Sequence, residues 1–166
     1  MVNSDLARMA SLGVSDKRIL VIGSPGAGKT TFSKRLAQET GLPLFHMDHM
    51  LWLPGWVERE ETSYLAALND VLSKDAWIID GNHLRALPER LARAELVYFL
   101  DINRWRATYR VIKRRLMREG LQAEGCPQRV DLAFIKFVFW TFPRRDKQRI
   151  MTLLEQHKDQ LDVHII

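Results

Sequence analysis

The sequence predicts an α/β fold in which one parallel β-sheet is covered by helices on both faces. Short aliphatic segments alternate with amphipathic helical segments along the chain, which is typical of strand–helix–strand units. A glycine-rich segment follows the first strand, and an acidic residue ends or follows each of the next three. Because the carboxyl ends of parallel strands meet at one edge of a sheet, these polar segments are expected to form a single site there.

The composition is that of a globular chain with an excess of positive charge. The 166 residues carry a net charge of +5, with 46% hydrophobic residues and a single cysteine, Cys126. One domain at residues 18–166 is predicted, after an N-terminal appendage at residues 1–17. A lone cysteine excludes an internal disulfide and a thiolate metal cluster, and it favours the cytoplasm. No segment is long enough to span a membrane, so no membrane partner is expected. The positive charge suits polyanionic ligands in general.

Five strands are predicted from short runs of aliphatic and β-branched residues, which suit strands buried on both faces. The strands are Arg18–Ile22, Leu44–Met47, Trp77–Gly81, Leu96–Asp101 and Val163–Ile166. Helices are predicted between them from apolar spacing and capping residues. The helical segments are 31–40, 64–72, 88–93, a long helix from Asn103, 131–142 and 145–158. A break at residues 120–127 begins a predicted lid region at 120–145.

The glycine-rich segment is a complete phosphate-binding loop (P-loop). It reads Gly23-Ser24-Pro25-Gly26-Ala27-Gly28-Lys29-Thr30, followed by Thr31, and it lies between a strand and a helix as this motif requires. The glycines let consecutive amide N–H groups face phosphate oxygens, and the helix adds the positive end of its dipole. Lys29 is expected to reach the β- and γ-phosphates of ATP, and the Thr30 hydroxyl to bind Mg²⁺.

Asp80 is the predicted second magnesium residue. It ends an apolar strand and precedes Gly81, and in a P-loop protein this position favours an acid that orients Mg²⁺. A turn formed by the Asp-Gly pair is the structural alternative. Asp101 is the competing acid, but it closely precedes a helix, which suits a local capping role.

Asp48 indicates the chemistry of the phosphoryl acceptor. It follows the second strand, on the side where an acceptor of the γ-phosphoryl group would bind. A carboxylate there orients a hydroxyl and takes its proton, whereas a phosphate acceptor would favour arginines because like charges repel. A solvated turn residue is the alternative. His49 and Trp52 are further candidate acceptor contacts, with Trp52 as a stacking wall.

The helix after Asn103 has a basic face and an apolar face. Arginines recur four residues apart at Arg106, Arg110, Arg114 and Arg118. Like charges at this spacing repel, so the row indicates an anionic partner, either a triphosphate or a nucleic-acid backbone. Solvent exposure alone explains some members. The apolar face, consisting of Trp105, Tyr109, Ile112 and Leu116, is predicted to pack on the sheet.

Arg144 and Arg145 form a second basic pair beside Pro143. Their position at a predicted segment boundary suits a lid that closes over the transferring phosphoryl group.

These motifs resemble the adenylate-kinase-like P-loop kinases and, more narrowly, the bacterial DNA topology modulation proteins. Besides the P-loop, the resemblance rests on Met47-Asp48-His49-Met50-Leu51-Trp52, Trp77-Ile78-Ile79-Asp80-Gly81-Asn82, Phe99-Leu100-Asp101-Ile102 and Phe142-Pro143-Arg144-Arg145. It implies the three-layer P-loop NTPase sandwich, with a five-stranded parallel sheet in the order 2-3-1-4-5 and a short arginine-bearing lid.

The same resemblance implies roles for several arginines. Arg110 would lie near the ATP base, Arg114 near the phosphates, and Arg144 and Arg145 in the lid. Nucleoside monophosphate kinases typically continue the strand-three Asp-Gly with Phe-Pro-Arg, whereas this chain has Asn82-His83-Leu84-Arg85. Arg85 is therefore the candidate for the acceptor-side arginine.

The sequence thus predicts an ATP- and Mg²⁺-dependent kinase that phosphorylates a hydroxyl group of a small molecule. Lys29, Asp48, Arg114, Arg144 and Arg145 are the predicted catalytic residues. Two alternatives stay open. One is a nucleoside monophosphate kinase, and the other is a DNA-associated protein that uses ATP as a conformational signal. A nucleic-acid partner is the weaker of these hypotheses, because the chain has neither a helix-turn-helix nor a zinc-finger pattern.

Overall fold

The computed structural model describes residues 17–117, 121–123, 125–127 and 130–166. The predicted appendage, apart from Lys17, and Arg118 of the arginine row lie outside these residues. The strands are β1 Arg18–Gly23, β2 Leu44–His46, β3 Trp52–Leu53, β4 Val57–Glu58, β5 Trp77–Asp80, β6 Leu96–Leu100, β7 Leu121–Ala123, β8 Cys126–Pro127 and β9 Asp162–Ile165.

Five of these strands form one parallel sheet in the order β2-β5-β1-β6-β9. Counted by their position along the chain, this is the order 2-3-1-4-5, so the predicted fold class and topology are confirmed. The carboxyl ends of β1, β2 and β5 lie side by side, with His46 level with Asp80 and Val21 level with Asp80 across the neighbouring pairs. The sheet therefore brings the P-loop, Asp48 and Asp80 to one edge.

Helices cover both faces of this sheet. They are α1 Lys29–Thr40, α2 Met47–Leu51, α3 Glu61–Leu72, α4 Leu87–Leu91 after a 3₁₀ turn at Leu84–Ala86, α5 Arg104–Leu116, α6 Leu132–Lys136, a π-helix at Phe137–Asp146 and α7 Lys147–Gln156. Among the described residues, no helix is both long and apolar enough to cross a lipid bilayer.

Alternate residues of β1 belong to the two halves of the core. Ile19 and Val21 pack in the layer of Phe32 on α1, whereas Leu20 and Ile22 pack in the layer that includes α3, α4 and α7. Alternation of this kind follows from the period of two in a strand. Because both faces are covered, the strand has the continuous apolar sequence that predicted it.

The face of helix α5 that packs against the rest of the protein is not the predicted one. Ala107 and Val111 are buried and pack against Val138 of the π-helix. Trp105, Tyr109 and Leu116 are 68%, 65% and 78% exposed. The predicted packing of this apolar face on the sheet, which also included Ile112, is therefore wrong.

The reason for this orientation is the close approach of α5 to the P-loop. A Cβ atom added to Gly26 would lie 2.9 Å from the Ala107 carbonyl oxygen and 3.2 Å from Val111 Cγ2. Only small or slender side chains fit between the helix and the loop. The large residues of α5 consequently lie on the outer side, although hydrophobicity alone favours burying them.

The π-helix corrects the predicted boundary at Pro143. The segment was expected to end there, but helical structure continues through Pro143 to Asp146 and on into α7. Proline lacks an amide N–H and crowds the carbonyl group one α-turn before it, and the wider π-turn changes that spacing. Arg144 and Arg145 consequently lie inside a helix and not at a boundary between segments.

The described part of the chain has two small hairpins that the sequence did not predict. β3 pairs with β4, and β7 pairs with β8; we call the second pair the lid hairpin, because it lies in the predicted lid region. The Gly55 N–H donates to the Gly125 carbonyl oxygen at 3.0 Å, and the Cys126 thiol donates to the Leu53 carbonyl oxygen at 3.2 Å. The lid hairpin is thereby joined to the turn between β3 and β4.

Gly23 offers a direct test of the packing at the end of β1. It has a φ of 135°, and a Cβ atom there would lie 2.1 Å from the Leu100 carbonyl oxygen. We expect Gly23→Ala to destabilise the protein by about 3 kcal/mol or more, since both strain and backbone overlap oppose it. Gly41→Ala is the matched control, because Gly41 has a φ of 74° but no atom within 4 Å of the added Cβ. It should cost only about 1 kcal/mol. Urea unfolding measures both, and equal losses would contradict the clash.

Candidate active site

The P-loop wraps around the start of α1. Gly23, Gly26 and Gly28 have φ values of 135°, 75° and 95°, which are accessible to glycine at little cost. The Ser24 N–H donates to the Leu100 carbonyl oxygen at 2.8 Å, and the Ala27 N–H donates to the Ser24 carbonyl oxygen at 3.1 Å. These bonds hold the loop between β6 and α1. The first amides of α1 are left to face an anion, as at other helix N-termini.

Lys29 lies across the opening of this loop. Its ammonium group donates to the carbonyl oxygens of Gly23 and Ser24, both at 3.1 Å. Burial lowers the pKa of Lys29, while the negative charges of Asp80 and Asp48 oppose this lowering. Lys29 therefore lies within electrostatic reach of both predicted acids. Among the described residues, its hydrogen-bond partners are two neutral carbonyl groups, which a phosphate can replace.

Thr30 and Asp80 meet at the position predicted for magnesium. The Thr30 hydroxyl donates to Asp80 Oδ2 at 2.9 Å, and His46 Nδ1 lies 3.0 Å from the same oxygen. The Asp80 side chain is buried. A hydroxyl and a carboxylate oxygen are the hard ligands that Mg²⁺ prefers, so the donor set fits this ion. His46 was not predicted to take part, and only the β2–β5 register brings it there.

Asp48 lies in the first turn of α2, directly after β2. It is partly buried, and its charge acts on Lys29 and also on His83. The His46 and His49 rings are 5.0 Å apart. The predicted acceptor residues Asp48 and His49 thus lie beside the Asp80 cluster, with His49 on the solvent side.

Aromatic side chains lie near the predicted acceptor residues. Trp52 packs edge-on against Trp56, with 5.5 Å between the ring centroids. The Tyr64 hydroxyl lies 2.8 Å from His83 Nδ1. Burial, followed by the positive charges of Arg90 and Arg85, lowers the pKa of His83, so its ring is neutral near neutral pH.

Arg85 occupies an exposed position near this region. It forms an ion pair of 3.6 Å with Glu61, and both side chains are mostly exposed. Pairs of this kind are weak, so Arg85 is available to solvent and to anions. Its predicted contact with a monophosphate stays a prediction.

The arginine row divides between the nucleotide side and solvent. Arg110 donates to the Ala27 carbonyl oxygen of the P-loop at 3.5 Å. The positive charge of Arg114 contributes to lowering the pKa of Lys29. Arg106 is exposed. Arg110 and Arg114 therefore lie beside the P-loop. The roles that the resemblance implied, with Arg110 near the ATP base and Arg114 near the phosphates, stay predictions.

The two lid arginines lie at the end of the π-helix. Arg145 forms an ion pair with Asp146 at 2.6 Å, and Arg144 is exposed. Their predicted action on the transferring phosphoryl group stays a prediction.

Asp101 connects the P-loop to α7 and is not the local cap that the sequence predicted. It accepts a hydrogen bond from the Ser24 hydroxyl at 3.2 Å and pairs with Lys147 at 2.5 Å. The cap of α5 comes from Asn103, whose side chain accepts from the Trp105 N–H at 2.9 Å. Lys147 is 46 residues away along the chain, and no short-range pattern indicates this pairing.

Two residues in and after the loop that follows β5 have roles that the sequence did not predict. The Asn82 side chain bonds to Gly23, and the fully buried Arg90 donates to the carbonyl oxygens of Gly81, Asn82, His83 and Ala86. In the sequence, Asn82 stands out only as a departure from the Phe-Pro-Arg pattern. Arg90 falls in a short amphipathic helix, where an arginine is ordinarily exposed.

The sheet order and the P-loop between β1 and α1 define the fold of the P-loop NTPases. The model of the ATPase family associated with various cellular activities (AAA) matches residues 19–97, just under half of the chain. Shikimate kinase from Acinetobacter baumannii, solved in complex with shikimate, has the same fold. It is 18% identical, with a TM-score of 0.51, and the alignment covers 95% of this chain and 86% of that chain. No curated protein matches the sequence.

Proposed function

We propose that this protein is an ATP- and Mg²⁺-dependent kinase that transfers the γ-phosphoryl group to a hydroxyl group of a small molecule. The observation that carries this proposal is the position of Lys29. Asp80 and Asp48 act electrostatically on the same ammonium group, so the phosphate-binding cation, the metal-orienting acid and the acceptor-side acid share one site.

The chain's own residues have separate tasks in this reaction. Lys29 and the P-loop amides hold the phosphate oxygens and stabilise the charge that develops during transfer. Thr30 and Asp80 hold Mg²⁺, which when bound neutralises phosphate charge. Asp48 accepts the hydroxyl proton as the acceptor oxygen bonds to the γ-phosphorus and the bond to the bridging oxygen breaks, releasing ADP. Arg110 and Arg114 assist on the nucleotide side.

The position of Asp48 favours a hydroxyl acceptor over a phosphate acceptor. A carboxylate, Asp48, lies in the first turn of α2, and its charge acts on Lys29. A site for a phosphate monoester would favour a cation at this position, because like charges repel. The adenylate-kinase-type and DNA-associated alternatives become outcomes of the test. The relation to the DNA topology modulation proteins stays a proposal.

The test is ADP release from Mg²⁺-ATP with nucleosides, nucleoside monophosphates, sugars and other hydroxylated metabolites as acceptors. Release that one hydroxylated acceptor stimulates supports the proposal. Steady release that no acceptor changes indicates an ATPase and overturns it. A nucleoside monophosphate as the best acceptor indicates the first alternative. Duplex DNA binding that weakens steeply with salt supports the second.

Asp48→Asn separates the roles of the two acids. We expect this variant to bind Mg²⁺-ATP as the natural protein does but to transfer phosphate about 10²–10⁴ times more slowly, because the acceptor loses its base. Asp75→Asn, an exposed acid before β5, is the control and should be fully active. Unchanged transfer by Asp48→Asn would rule out the proton-accepting role and favour a monophosphate acceptor.

A further inference from the structure

Gly23 is held on both of its polar groups by a single side chain. Its N–H donates to Asn82 Oδ1 at 2.9 Å, and its carbonyl oxygen accepts from Asn82 Nδ2 at 2.8 Å. One planar amide thus fixes both polar groups of the first P-loop residue across 59 residues of sequence. The Ser24 N–H beyond it is fixed from the other side, by the Leu100 carbonyl oxygen.

The Gly23 carbonyl oxygen is shared between Asn82 and Lys29. Lys29 Nζ donates to it at 3.1 Å, beside the bond from Asn82. When Lys29 moves to a phosphate oxygen, the carbonyl oxygen keeps its bond to Asn82. The Gly23 carbonyl oxygen therefore still has a hydrogen-bond donor after Lys29 has moved. A carbonyl oxygen left without a donor would oppose phosphate binding.

Asn82 is itself anchored by Arg90. The guanidinium group of Arg90 is fully buried and donates to the carbonyl oxygens of Gly81, Asn82 and His83 at 2.7–2.8 Å. Arg90 thereby fixes the backbone of Asn82, from which the side-chain amide reaches Gly23. Supporting contacts of this kind set the precision of a site.

We propose that Asn82 is a positioning residue for nucleotide binding. It fixes the backbone of Gly23 at the start of the P-loop, and it still donates a hydrogen bond to the Gly23 carbonyl oxygen when Lys29 binds a phosphate oxygen instead. This role rests on the proposed binding of ATP, but the hold on Gly23 is measurable without a nucleotide. Neither the P-loop motif nor the match to the AAA family assigns a role to this side chain.

Asn82→Leu tests the proposal, because leucine has a similar shape and removes both hydrogen bonds. Two quantities are measured: hydrogen exchange of the Gly23 amide in the free protein, and the Kd of Mg²⁺-ATP. We expect exchange of the Gly23 amide to rise by about tenfold or more, and the Kd to rise by about 10–100-fold. The amides of Leu20 and Val21 should keep their protection. Asn69→Leu, on the exposed face of α3, is the control and should change neither quantity.

The outcomes separate this role from the proposed function. Unchanged Gly23 exchange and an unchanged Kd overturn the positioning role of Asn82. A natural protein that does not bind Mg²⁺-ATP overturns the proposed function, and the exchange of Gly23 still shows whether Asn82 holds the loop. A loss of protection throughout the sheet in both Asn82→Leu and Asn82→Ser would assign Asn82 to folding and overturn a specific role at the P-loop.

Discussion

Lys29→Ala is expected to reduce phosphoryl transfer by a factor on the order of 10³ or more. The alanine variant removes the cation that lies within electrostatic reach of both Asp80 and Asp48. It also leaves two like-charged carboxylates beside an incoming polyphosphate with one cation fewer, which weakens ground-state binding as well as transition-state stabilisation. Both the kcat and the affinity for Mg²⁺-ATP should therefore fall, and the kcat should fall more.

The control for this variant lies on the same helix. Lys34 is exposed on α1, so Lys34→Ala makes the same change in charge and size away from the site and should keep full activity. Steady-state ADP release and the Kd of Mg²⁺-ATP are measured for both. If Lys29→Ala released ADP as fast as the natural protein, the proposed role of Lys29 would be wrong.

Arg90→Met is expected to destabilise the protein by about 3–5 kcal/mol. Arg90 is fully buried, and in the described part of the chain its hydrogen-bond partners are four carbonyl oxygens. Burial lowers its pKa to about 10, so it is still charged near neutral pH. Methionine fills much of the space, but it leaves the loop carbonyl groups without their donor.

Unfolding in urea or by heat measures this effect. A loss of this size corresponds to a midpoint about 10 °C lower for a domain of this length. Arg93→Met is the matched control, because Arg93 is exposed three residues further along and its replacement should change stability by less than about 0.5 kcal/mol. Similar midpoints for the two variants would show that the hydrogen bonds from Arg90 to the four carbonyl oxygens do not stabilise the fold.

The sheet was predictable because each of its strands is defined by local sequence. β1, β5 and β6 are apolar runs that only burial on both faces explains, and the P-loop motif determines the turn and the helix that come after β1. The register then places Asp80 beside His46 and Val21. The fold class and the meeting of Thr30 with Asp80 follow from these local signals, whereas the strand order was predicted from the resemblance to the P-loop kinases.

The errors arose where a contact between distant segments decided the outcome. Helical periodicity identified the two faces of α5, but the approach of Gly26 to Ala107 determines which face is inside. Asp101 has the sequence position of a cap, yet Ser24 and Lys147 are its partners. Arg90 is a polar residue at a core position, and only the folded loop provides the carbonyl groups that offset its burial.

The contact between the lid hairpin and the turn after β3 makes the only cysteine of the chain a natural probe. The Cys126 side chain is 0% exposed, and its thiol donates to the Leu53 carbonyl oxygen. A thiol reagent added to the folded protein can react only when this contact opens, so the labelling rate measures how often the hairpin separates from the β3–β4 turn. Comparing that rate with and without Mg²⁺-ATP would report the coupling between nucleotide binding and the lid hairpin without any engineered label.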